Sequence, residues 1–192
     1  DFTLHMELIY GSNRTALIQF NVENTTDKEL ELKVKWEGKI FTTYGSKGAD
    51  LGTSLEATES GVNVNFKEIR STWNWFTTEE NKFQIRFDKP VTTTVSEDKT
   101  TYESVMNESV KIKAGETFTT WSTQSYTFTD KEAESEQAKA DDMLKNGGKY
   151  FEENNTRWQG YLDKTFAGTE QVGKAYKNAA VKSIETLMTN WR

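Results

Sequence analysis

The chain has no cysteine, one proline and one histidine in 192 residues. Without Cys, disulfides and thiolate metal sites are excluded, and the redox compartment is left open. With a single His a structural zinc site lacks its ligands, and Ser-His or Cys-His catalysis would have to rest on His5 alone. His5 alternates with Leu4 and Met6, which puts it on the wet side of a strand as an ordinary surface residue. Basic clusters are also missing, and the formal net charge is −6. Nucleic-acid binding is driven by Lys and Arg neutralising phosphates, so no nucleic-acid partner is expected. No apolar run approaches the ~20 residues of a membrane span, so no membrane partner is expected either.

Aliphatic residues are sparse, while six Trp, seven Tyr and eleven Phe are present. Lys, Glu, Thr and Asn are abundant, a mix suited to strands with one apolar face. Phe2, Leu4, Met6, Leu8 and Tyr10 alternate with polar neighbours, and so do Ala16, Ile18, Phe20 and Val22, then Leu30, Leu32, Val34 and Trp36. Period-two alternation predicts strands with one buried and one wet face. Gly11-Ser12-Asn13 and Asn24 to Lys28 supply turns between them, so the three read as an antiparallel meander. Glu29, Glu31, Lys33, Lys35 and Glu37 fill the solvated face of the third.

Residues 39–60 are looser, with Gly45, Gly48 and Gly52 breaking the pattern. A long loop is expected there, the usual place for contacts with ligands or other domains. Alternation returns at Val62, Val64 and Phe66, then at Phe83, Ile85 and Phe87. Pro90 marks a strand start or an edge. Val91 and Val95, then Val110 and Ile112, continue towards the tight-turn signal Ala114-Gly115-Glu116 and a long last strand over 118–128. Roughly nine to eleven strands, with turn signals every ~8–12 residues and no helix between them, predict a β-sandwich or barrel.

The pattern changes at Thr129. Thr129 and Glu132 have capping-box spacing, and a helix is expected from about Asp130 to Lys145, stopped by Gly147-Gly148. Its apolar residues are few, so it should be mostly exposed or lightly docked. A second helix is expected from about Lys149 to Lys164, with Phe151, Trp158, Tyr161 and Leu162 on one stripe. The last run, from about Thr169, is apolar over most of its circumference and is expected to be covered by a partner outside these residues. The fold class is therefore mainly β with C-terminal helices. The expected division is an antiparallel sandwich over 1–129, a helical linker over 130–168, and the first helix of a further body over 169–192.

Tyr150-Phe151, Arg157-Trp158-Gln159-Gly160-Tyr161-Leu162 and the ending Thr189-Asn190-Trp191-Arg192 resemble bacterial glucosidase-type members of glycoside hydrolase family 63. The resemblance implies a supersandwich-like N-terminal β-sandwich joined by about three linker helices to an (α/α)6 catalytic barrel. It implies hydrolysis of an α-glucosidic bond with inversion, by two carboxyl groups spaced to admit a water. The family's catalytic carboxylates lie on the barrel, downstream of the Asn-Trp-Arg segment, so no catalytic residue can be carried onto this chain. The partners implied are the chain's own catalytic barrel and the oligosaccharide substrate of the parent enzyme. Ile184, Leu187, Met188 and Trp191 are then the barrel-packing residues. The compartment expected with such an enzyme is periplasmic or secreted rather than cytoplasmic.

Within the strand-rich part, Trp73, Trp75 and Phe76 are the carbohydrate-binding candidates. Flat aromatic faces stack on sugar rings and the indole N–H adds a donor, although such groups more often fill a core or an interface. They support an alternative, a free-standing carbohydrate-binding sandwich. Trp36 and Trp121 are expected to fill the core or an interface with a further body. The acidic pairs Glu79-Glu80, Glu97-Asp98, Asp141-Asp142 and Glu152-Glu153 diverge on a strand or helix and suit solvent better than acid/base work. No cofactor is expected. Calcium held by loop oxygens is left open, though no Asp-x-Asp-x-Asp-Gly loop occurs.

Overall fold

A computed structural model of the chain describes residues 1–44, 49–50, 52–66, 82–167 and 173–190. The strands among them, in chain order, are β1 (Phe2–Tyr10), β2 (Thr15–Asn24), β3 (Leu30–Leu32), β4 (Lys35–Lys39), β5 (Thr43–Tyr44), β6 (Ala49–Asp50), β7 (Thr53–Thr58), β8 (Gly61–Phe66), β9 (Lys82–Phe87), β10 (Val91–Val95), β11 (Thr101–Met106), β12 (Val110–Ile112) and β13 (Thr117–Thr127). Three helices follow: α1 (Asp130–Lys145), α2 (Gly147–Phe166) and α3 (Lys174–Asn190). The chain divides into two compact units, Asp1–Gly147 and Gly148–Arg192.

The first unit is built on a six-stranded antiparallel sheet in the order β1-β2-β13-β9-β8-β7. Its even-numbered row on β2 (Ile18, Phe20, Val22) lies beside Phe118, Thr120 and Ser122 on β13, and Ser122 beside Phe87 on β9. This face meets a smaller sheet, β10-β11-β4. Trp36 on β4 stacks on Phe87 at 4.4 Å and meets Phe20 edge-on at 5.9 Å. Further along, Leu55, Val62 and Val64 form a buried cluster packed by Ile40, Phe66, Phe83, Ile85, Val95 and Tyr102. Two antiparallel sheets with interdigitating inner faces make a sandwich, with β3-β12 and β5-β6 as separate two-stranded ladders.

The first hairpin forms as expected, but the meander does not. β2 pairs with β13, and the third segment leaves for the opposite layer. Asn24 makes the corner. It is fully buried, its Nδ2 donates to the carbonyls of Lys28 and Ile112, and its amide donates to Glu116. Those bonds tie the end of β2 to the β12–β13 turn and redirect the chain. The third segment is also two strands, β3 and β4, with Glu29, Glu31, Lys33, Lys35 and Glu37 exposed.

A second difference concerns β1. Phe2, Leu4, Met6, Leu8 and Tyr10 are 52% to 74% exposed, and on the opposite face Thr3, His5 and Glu7 are exposed and Ile9 is half-buried. Alternation told which residues share a face. It could not tell that β1 is the edge strand and that the smaller sheet stops short of it. The stretch 39–60 also holds more order than a loop, since it contains β5, β6 and β7.

The other face of the large sheet carries α1. Most of this helix is exposed; Glu136, Ala140 and Met143 are the buried residues. Charged and polar bonds hold it in place. Arg14 pairs with Glu132, Arg86 with Asp141, and Ser12 and Thr15 donate to Glu136. At its start Thr129 accepts from the Glu132 amide, as the capping box predicts. The Glu132 carboxylate reaches one residue further back than that motif requires and accepts from the Phe128 amide at 2.7 Å. Asn146 caps the end of α1 and α2 begins directly at Gly147.

In the second unit α2 buries Phe151 and half-buries Trp158, Tyr161 and Leu162, with the Trp158 and Tyr161 rings edge-to-face at 5.7 Å. On α3 Val181 and Ile184 are half-buried, while Tyr176, Leu187 and Met188 are 71%, 67% and 37% exposed.

Candidate functional site: an open polar groove on the smaller sheet

An open depression of about 590 Å³, lined mainly by polar residues, runs across β4, β11 and β10. Antiparallel register places its residues. Glu103 lies opposite Glu37 and Thr94, and Tyr102 lies opposite Gly38 and Val95. Gly38 is required by the neighbouring ring: a β-carbon there would come within 2.5 Å of Tyr102 Cε1. Tyr102 reaches the edge of the apolar cluster, and its burial raises the phenol above its ordinary value. A second depression continues past the β10–β11 turn, sharing Lys39, Ser96 and Thr101 and adding Asp98 and Thr100.

The electrostatics are those of a clamped surface. Lys35 Nζ lies 3.0 Å from Glu103 Oε2 and 3.0 Å from Glu37 Oε2. The bond to Glu103, then that to Glu37, raises the Lys35 ammonium above its ordinary value. Asp98 accepts from the Ser96 hydroxyl and from the Thr100 amide and hydroxyl, which holds its carboxyl below the ordinary value. The two glutamate oxygens share one cation and so lie at most twice 3.0 Å apart. The groove can exchange hydrogen bonds with hydroxyl groups through Thr94, Ser96, Thr101 and the glutamates, both of which are held by the Lys35 ammonium.

The sequence-derived candidates do not converge on this groove. Trp73, Trp75 and Phe76 lie outside the described residues, and so does Trp191. Ile184, Leu187 and Met188 sit on α3 in the second unit. His5 is exposed on β1 with Nε2 3.7 Å from Glu23 Oε2. Trp36 packs between the sheets, whereas Trp121 faces the helix side, with its indole against Gly147. Among the described residues no group of three or more His, Asp or Glu side chains is placed to hold a metal ion.

Sequence reasoning missed Gly38, Tyr102 and the Lys35 clamp. Glu37 and Glu103 are neighbours only through strand register, which a single sequence does not reveal. It also missed Glu136, buried on the inner side of α1, and the half-buried Asp88, which accepts from the Thr120 hydroxyl and the Trp121 amide.

The antiparallel sandwich followed by three helices has the architecture that the resemblance implies for an N-terminal domain. Residues 1–159 match the family model described as "Glucosidase YgjK, N-terminal". With the whole sandwich, α1 and most of α2 inside that match, the chain belongs to the family of N-terminal domains of YgjK-type glucosidases.

Proposed function

We propose that this chain is a non-catalytic domain of an inverting, family 63-like α-glucosidase, packing on and supporting an (α/α)6 catalytic barrel and helping to wall the substrate entrance. The observation that carries the reading is the family match over residues 1–159. It is supported by α3, which lies wholly beyond Gln159 and presents Tyr176, Leu187 and Met188 to solvent. Apolar side chains on one helix are what a packing surface requires. In this reading Ile184, Leu187, Met188 and Trp191 meet the barrel, and the oligosaccharide is bound mainly by the barrel. The acid and base both belong to the barrel.

The test is direct. The 192-residue chain, assayed against gluco-oligosaccharides and an aryl α-glucoside, is expected to give no turnover. A separately produced catalytic barrel should gain thermal stability when this chain is added, and Leu187→Asp with Met188→Asp should remove the gain. Turnover by the chain alone, or a barrel indifferent to its presence, would overturn the reading.

A further inference from the structure

β1 presents an exposed apolar row and an open backbone edge. β1 ends the large sheet and pairs only with β2 among the described residues. Its outer edge therefore offers nine residues of backbone for a further strand. Sheet edges are usually protected by Lys, Pro, a bulge or brevity. β1 has neither Lys nor Pro, and its pairing with β2 runs unbroken from Phe2↔Asn24 to Tyr10↔Ala16. Phe2, Leu4, Met6, Leu8 and Tyr10 lie on the face that continues Ile18, Phe20 and Val22, the row facing the smaller sheet. Five half-exposed side chains of this size present about 400 Å² of contiguous apolar surface, the scale at which a patch commonly marks a contact.

We propose that two copies of this chain associate through β1, antiparallel, in a register centred on Met6. A two-fold axis there sets residue i against residue 12 − i of the partner copy, as an isologous contact demands. The strand reads Phe-Thr-Leu-His-Met-Glu-Leu-Ile-Tyr, and it is complementary to itself about its centre. On the apolar face Phe2 meets Tyr10, Leu4 meets Leu8, and Met6 meets Met6. On the other face His5 meets Glu7 twice, and Thr3 meets Ile9 twice. Aromatic pairs, aliphatic pairs and hydrogen-bonding polar pairs such as His5 with Glu7 are cross-strand combinations that stabilise antiparallel ladders. A register one residue away loses this: centred between Met6 and Glu7, it sets Leu4 against Ile9 and His5 against Leu8, across opposite faces. The paired rows then form one continuous apolar floor of cross-strand contacts, with the two large sheets joined into one.

The absence of native cysteine gives a clean test. Directly opposed residues have β-carbons about 4.5–5.5 Å apart, close to the span a disulfide bridges. Under mild oxidation Met6→Cys should yield covalent dimers. Tyr10→Cys alone should not, because its copies lie eight residues, roughly 27 Å, apart in this register. A mixture of Phe2→Cys and Tyr10→Cys should cross-link. Sedimentation velocity of the unmodified chain should show a reversible monomer–dimer equilibrium over roughly 1–100 µM. His5→Glu sets like charges opposite Glu7 at both ends and should weaken the dimer at least tenfold; adding Glu7→Lys should restore it. A monomer throughout that range overturns the proposal and leaves the edge to a strand of another polypeptide. So does cross-linking of Tyr10→Cys as fast as Met6→Cys.

Discussion

Glu136 is the residue on which the docking of α1 turns, and its removal has a calculable cost. The residue is 4% exposed. Its carboxylate accepts from the Ser12 and Thr15 hydroxyls and from Lys139 Nζ, and Thr15 is hydrogen-bonded in turn to Ser125 on β13. Burial pushes the carboxyl up, but the bonds from Lys139, Ser12 and Thr15 outweigh it and hold the group below its ordinary 4.5. Glu136→Gln keeps the shape and removes the charge. A buried hydrogen bond to a charged group contributes about 1.5–3 kcal/mol, so about 2 kcal/mol should be lost at pH 7. For a unit of this size that is roughly 4–8 °C in Tm, or about 1 M in urea midpoint. The folded-state value is depressed, so the contribution is fully present above the ordinary carboxylate range and disappears as pH falls through the folded value. Wild type and Glu136→Gln should therefore converge as pH falls through the folded value. Urea unfolding followed by tryptophan fluorescence across a descending pH series measures the gap. Glu132, Arg14 and Lys139 also face this region, and all three are unchanged in the comparison. A gap that stays the same size across the whole acid series would refute the role given to the charge, and no gap at pH 7 would refute the role of the residue.

Two further substitutions test the sandwich itself. Gly61 has φ 153°, and a β-carbon there would stand 2.1 Å from the Ile85 carbonyl oxygen, so Gly61→Ala should cost on the order of 3 kcal/mol in urea unfolding; a loss under ~1 kcal/mol would mean that the β7–β8 hairpin shifts freely. Thr123 is fully buried and its hydroxyl has no hydrogen-bond partner among the described residues, so Thr123→Val should raise stability by about 1 kcal/mol; clear destabilisation would show that the hydroxyl is bonded.

Local pattern and long-range pairing were unequally legible in the sequence. The bounds of α1, the strand start after Pro90, the turn at Gly115 and the long β13 follow from caps, turn residues and alternation, all of them interactions within a few residues. The fate of the third segment does not. Leu30, Leu32, Val34 and Trp36 alternate as well as β2 does, and nothing nearby says that β13, about a hundred residues on, takes the place beside β2. Asn24 settles it through bonds to Ile112 and Glu116, whose partners are fixed only once the sheet exists. The groove is hidden for the same reason, since Lys35 finds Glu103 across a ladder.

Apolar content also misjudges what holds an element down. By hydrophobicity α1 is nearly unattached and β1 is well buried, yet the structure reverses their weight. The helix is docked by a buried carboxylate and two ion pairs across its length. β1, with five large side chains on one face, keeps that face in water. Alternation fixes which side chains lie together, while burial depends on whether another layer extends over them. The smaller sheet reaches β2 through Trp36 and goes no further, so the same pattern means core on β2 and contact surface on β1. An apolar strand at the margin of a sandwich is thus a statement about a neighbour, and the symmetry of β1 about Met6 points to which neighbour it fits.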